Sequence, residues 1–174
     1  MGGHNGTFGI SEGSLSIEDG TITAGNFTIN MTAIKVNDLT PETGAGDLIG
    51  HLSAPDFFDV AKYPTAKFEI TEAKAEANGE NTHVIAGNLT IKDSTRAVSF
   101  PAKVTVTGDN VTATGTLTIN RLDWGINYNS GEQGLTETAV KATKNGVVGK
   151  DVKITVNLSA TKEAAEATEA TAAE

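Results

Sequence analysis

The chain has no cysteine, which excludes disulfides, thiolate catalysis and cysteine-ligated zinc and leaves every redox compartment open. Basic residues are scarce: 13 Lys and Arg stand against 22 Asp and Glu, for a net charge of −9. Nucleic acid and anionic lipid surfaces both need a basic footprint, so neither is expected as the main partner. No apolar run approaches the ~18 residues of a membrane-spanning helix, so no transmembrane segment is expected. Residues 1–13 are Gly-rich and polar, without a charged start followed by an apolar stretch, so no secretion signal is read there. Proline is rare at four residues, and aromatics are limited to one Trp, two Tyr and six Phe.

What the chain has instead is threonine, 25 residues of it, and 19 glycines. Thr is β-branched and favours a half-buried pleated surface, so this composition in 174 residues predicts one domain of many strands joined by turns. Alternation locates the strands. Leu15 and Ile17 alternate with polar residues up to the turn signal Asp19-Gly20. Phe27, Ile29 and Met31 share one face, and Ile34 and Val36 fall on the opposite parity, which predicts a bulge near Ala33. Phe68 and Ile70 lead to Asn78-Gly79, and Ile85, Gly87, Leu89 and Ile91 follow. Val98 to Val106 alternate down to Gly108-Asp109, Val111 to Ile119 alternate next, and Val152 to Ala160 come last. One-face alternation at close, regular spacing predicts an antiparallel barrel or sandwich with one wet and one dry face. The small inward residues Gly87, Ala102, Ala113 and Gly115 either leave volume inside or let larger neighbours interdigitate.

Two stretches break the rhythm. Residues 38–63 carry Pro41, Gly44, Gly46, Pro55 and the cluster Asp56-Phe57-Phe58-Asp59, and predict a short helical turn or capping loop. Leu122–Lys150 is a long connection holding Trp124 and Tyr128, of a length usually kept for function. Residues 162–174 contain only Lys, Glu, Ala and Thr and add nothing to a core, so the domain is expected to end at 161.

A catalytic set is not evident. His4, His51 and His83 fit no metal-ligand spacing and read best as surface or loop-packing residues. Asp56 and Asp59 flank the Phe pair and fit a solvated turn better than an acid–base pair. There is no Gly-x-Ser-x-Gly and no phosphate loop, and Gly44-Ala-Gly46 is too short to carry one. Six Asn-x-Ser/Thr triplets are expected from so much Asn and Thr. Arg121-Leu122-Asp123-Trp124-Gly125 is sharper; its simplest reading is a structural Arg–Asp pair closing a barrel end under an aromatic lid, with a ligand contact as the alternative.

Three ordered motifs carry a resemblance. Leu52 to Phe68 joins Asp56-Phe57-Phe58-Asp59 to Tyr63-Pro64 and a closing Phe; Gly87-Asn88-Leu89-Thr90-Ile91-Lys92-Asp93-Ser94-Thr95-Arg96 follows, then Ile119-Asn120-Arg121-Leu122-Asp123-Trp124-Gly125. Together they resemble the YceI-like family of polyisoprenoid-binding, lipocalin-like proteins. Two departures stand out. Family members usually carry a further strand ahead of the segment matching His4–Phe8, and Asp93-Ser94 replaces a more usual Gly and apolar residue, a change an Asp in left-handed turn geometry would absorb. The resemblance implies an all-β, antiparallel lipocalin-like barrel of about eight strands with a helical or loop insertion near residues 38–63. It further implies a non-enzymatic protein in the periplasm or secreted, holding an isoprenoid or similar amphiphilic lipid for carriage, storage or sequestration. No cofactor is implied beyond such a lipid or quinone. The cavity and mouth are then expected at Phe57, Phe58, Phe68, Leu89, Phe100, Val104, Leu117 and Trp124. A packed barrel used for protein contact is the alternative, and a homodimer is left open.

Overall fold

The computed structural model describes residues 3–128 and 148–161. Seven strands form one antiparallel sheet in chain order: β1 Gly6–Glu18, β2 Thr21–Val36, β3 Thr65–Asn78, β4 Asn81–Ile91, β5 Ser94–Thr107, β6 Asn110–Asn120 and β7 Asp151–Thr161. The sheet curls into a nearly closed barrel, one strand short of the eight expected. The expectation for residues 162–174, and the middle of the long connection after Tyr128, lie outside the described residues.

Tight turns follow the chemistry that the sequence offers. Asp19 and Gly20 both take positive φ, 50° and 77°, as a two-residue hairpin turn requires. Gly79 and Gly108 do the same at the next hairpins. At the β4–β5 turn the left-handed residue is Lys92, at φ 57°, rather than Asp93. The Lys92 ammonium offsets that strain by donating to the Phe57 carbonyl at 3.2 Å, while Asp93 accepts from the Tyr63 hydroxyl at 3.1 Å. The turn therefore fastens the Phe57–Tyr63 segment to the barrel.

The bulge expected near Ala33 is present. Thr7 pairs with Lys35 but Gly9 pairs with Asn30, so extra β2 residues are accommodated between the two pairs and the inward face switches from Met31 to Ile34. β1 itself begins nine residues earlier than the Leu15 alternation suggested, because Gly6, Gly9 and Gly13 hide its pattern. The insertion is a 3-10 turn, Pro41–Thr43, followed by helix α1, Ala45–Ser53. Leu48, Ile49 and Leu52 occupy one side of α1 and are half-buried.

The glycines on the dry face admit rings. A methyl on Gly87 would come within 2.6 Å of the Phe68 ring, and one on Gly115 within 2.8 Å of Phe100; Gly13 relates to Phe27 in the same way. Gly87→Ala is expected to cost about 1–3 kcal/mol through overpacking, because the Glu69 carbonyl blocks retreat on the other side; a thermal melt within error of the parent would contradict this.

Candidate functional site

The barrel interior is a continuous apolar core. Leu89, Phe100, Val104, Leu117, Phe57 and Trp124 are buried in it, and Phe58 and Phe68 are half-buried at its margin. All eight residues expected to line a cavity thus belong to one cluster. Phe68 and Phe100 meet with ring centroids 6.0 Å apart. Between volume and interdigitation the structure selects the second: the space conceded by Gly87 and Gly115 is taken by Phe68 and Phe100.

One end of the barrel is stopped by aromatic side chains. Phe57 and Phe58 stand 5.0 Å apart, Phe58 meets Phe8 of β1 at 5.8 Å, and the His51 ring of α1 packs on Tyr128 at 4.3 Å and on Phe57 at 5.8 Å. The sequence offered Phe57 and Phe58 for this role and His51 as a surface or loop-packing residue; Phe8 escaped notice because it is isolated between Thr7 and Gly9.

The Arg121–Asp123 pair expected at this end does not form. Arg121 is 1% exposed and Asp123 is exposed. The guanidinium donates instead to main-chain carbonyls: Nε to Gly149 at 3.0 Å, Nη2 to Tyr128 at 2.7 Å and to Val148 at 2.9 Å, and Nη1 to Ile126. Its carbon lies 5.8 Å from the centre of the Phe57 ring. Burial lowers the Arg121 pKa from its ordinary value, yet a guanidinium stays charged in proteins. Arg121 therefore ties both ends of the long connection to the barrel. Trp124 is no outer lid but a buried wedge, its indole N–H donating to the Leu89 carbonyl at 3.1 Å.

The candidate acid–base residues do not assemble around a histidine. His4 bonds Asp38 at 2.9 Å, His83 bonds Thr82 at 2.8 Å, and His51 contacts rings. Asp56 is exposed, and Asp59 takes a turn at φ 50° with its amide bonded to the Ala54 carbonyl. Among the described residues no group of three or more acidic or imidazole side chains could hold a metal ion. The Asn5 amide and the His4 ring hold the Asp38 carboxyl below its ordinary pKa, far from the core.

Among the openings in the surface, one of about 560 Å³ spans β1 to β5 and is lined by polar residues such as Ser14, Asn26, Thr28 and Lys67 together with Phe27 and Phe68, the latter one of the residues expected to line a cavity. A second, of about 320 Å³, lies between β5 and β6 and reaches Leu117, Ile119 and Trp124. The second was missed in the sequence, although Pro101 marks it: the β5–β6 ladder stops at Ala102, and Pro101 has no N–H to carry it further.

An antiparallel meander curled around aromatic and aliphatic side chains, stopped at one end by a short helix, defines a lipocalin-like barrel. Among the described residues no helix is long and apolar enough to cross a membrane. The chain belongs to the YceI-like family: a YceI-like domain matches residues 1–160. A UPF0312 protein of Pseudomonas aeruginosa (strain LESB58) is 31% identical over 132 residues, covering 72% of this chain and 65% of the relative. A UPF0312 protein of Yersinia pestis (strain Pestoides F) is 31% identical over 105 residues, 60% of this chain and 50% of its own. The alignments thus span between half and about two-thirds of these relatives. The fold matches that of a Campylobacter jejuni YceI protein with a TM-score of 0.65 at 16% identity, covering 94% of this chain and 87% of the other. It also matches BcnA of Burkholderia cenocepacia with a TM-score of 0.63 at 22% identity, covering 86% and 83%.

Proposed function

We propose that this protein binds the hydrocarbon chain of an isoprenoid or comparable amphiphilic lipid inside its barrel, without catalysing a reaction. Phe57, Phe58, Phe68, Leu89, Phe100, Val104, Leu117 and Trp124 form the lining. The observation that carries the reading is the seating of Phe68 and Phe100 on glycines. A ring resting on a glycine is held by no neighbouring side chain at that point, so a change of rotamer vacates a ring-sized volume that a chain fills with apolar contact in exchange. Family membership supports the same reading, as well as a periplasmic or secreted location for carriage, storage or sequestration.

Native mass spectrometry after gentle purification tests it. A lipid-sized adduct is expected, or uptake of an added isoprenoid quinone, and Phe68→Ala should weaken that uptake. A clean protein mass with no uptake would overturn the proposal.

A second reading draws on the exposed inward face of β1. Phe8 is 42% exposed and Ile10 46%, and among the described residues β1 pairs with β2 alone. A packed barrel offering this edge to another polypeptide, a second copy being the simplest partner, fits that observation. A clean mass combined with self-association that Ile10→Glu abolishes would select this reading instead.

A further inference from the structure

The β5–β6 ladder runs from Thr107↔Asn110 to Ala102↔Gly115 and then stops. Beyond that point the strands part. Residues 94–101 remain paired with β4 and residues 116–120 with β7, so both banks of the gap are held by a neighbour. The 3-10 turn Arg121–Trp124 closes its far end. In a continuous wall, outward residues meet solvent and inward residues meet the core. Here both kinds line one cleft of about 320 Å³: Ala97, Ser99 and Thr118 from the outward rows, Val98, Leu117 and Ile119 from the inward ones, with Trp124 at the end. The two strands that bound it carry no ladder to each other there. Phe100, next along β5 after the lining residue Ser99, has its ring over Gly115 of the last ladder pair.

The rims are polar and the floor is apolar. Arg96 and Asp123 line opposite banks, both exposed, and the Arg96 guanidinium bonds the carbonyl of its neighbour Thr95. A cleft of this volume is at the small end of ligand pockets. It suits one hydrocarbon chain rather than a fused ring system, and its charged rims keep a polar head hydrated.

We propose that the cleft between β5 and β6 is a lateral port through which the single hydrocarbon chain of an amphiphile enters the barrel, its head group staying at the Arg96 and Asp123 rims. The port rests on the lipid-binding reading above. It adds the route, and it makes Phe100 the side chain that must turn for the chain to pass inward.

The absence of cysteine makes the test clean. Ala97→Cys places a single thiol at the cleft. Thr112→Cys places one on the outer face of β6, where the wall is paired on both sides with Thr105 and Ser159. Each variant is measured before and after coupling to a polyethylene-glycol maleimide, so each serves as its own folding control. The probe is cis-parinaric acid, an unbranched polyene fatty acid, followed in stopped flow by energy transfer from Trp124, the only indole in the chain. Coupling at position 97 is expected to slow uptake about tenfold, and coupling at 112 to leave it unchanged. Equal rates before and after coupling at 97, with the probe still bound, would overturn the port and leave the lipid reading standing. No uptake by any form, with no adduct in native mass spectrometry, would overturn both.

Discussion

Arg121→Met is expected to cost about 4 kcal/mol of folding stability. The guanidinium donates to the carbonyls of Ile126, Tyr128, Val148 and Gly149, and among the described residues no carboxylate bonds it. Methionine keeps much of the side-chain volume but removes the donor from four carbonyls, that of Ile126 in a buried bond and the others in part-buried ones, and puts no polar group in their place. Arg121→Lys should recover only part of the loss, because a single ammonium cannot reach carbonyls arranged around a planar fork. Urea unfolding with linear extrapolation measures both variants. A loss below about 1.5 kcal/mol for the methionine variant would mean that the carbonyls find water or other donors, and that the guanidinium is not the tie between Tyr128 and Val148.

Phe100→Ala should be of similar size, about 3–5 kcal/mol, since it removes a buried ring from the core. The partner variant makes the reason testable. Gly115→Ala alone drives a methyl into the Phe100 ring and is expected to cost about 1–3 kcal/mol. Combined with Phe100→Ala, the same methyl enters space that the ring has left. The double variant should therefore be clearly more stable than the sum of the two losses, a coupling of the sign found for residues that share one volume. Strict additivity in urea or thermal unfolding would show that ring and glycine do not compete for the same space.

The strand content was legible because Thr and period-two alternation report directly on half-buried pleats, and the turns were legible because Asp19-Gly20, Asn78-Gly79 and Gly108-Asp109 have few other uses. Cross-strand partners were not. Phe68 sits over Gly87 only because the β3–β4 register changes twice, between Ala75 and Asn78 and between Ile70 and Glu72; counting from the turn gives different neighbours. The β5–β6 register, by contrast, is constant from the turn up to Ala102, and counting onward predicts a ladder where the strands in fact separate. Arg121 misled for a different reason. A nearby Asp123 is the partner that sequence suggests, whereas main-chain carbonyls 27 and 28 residues away leave no trace in side-chain identity. Lys92 shows the same limit: its left-handed backbone is sustained by a contact with Phe57 that only the folded chain supplies.

The carbonyl cage around Arg121 sets how this end of the barrel meets acid. At the His4–Asp38 tether the carboxylate is held below its ordinary pKa by the bonds it accepts, so that stabilisation is present above the unfolded value and fades as the pH falls through the folded one. Around Arg121 the bonded acceptors among the described residues include no such group to neutralise. Amide carbonyls take up no protons in that range, and lowering the pH only secures the charge on the guanidinium. As the solution is acidified, the tie near the chain start lets go while the seal beneath Phe57 keeps its full strength.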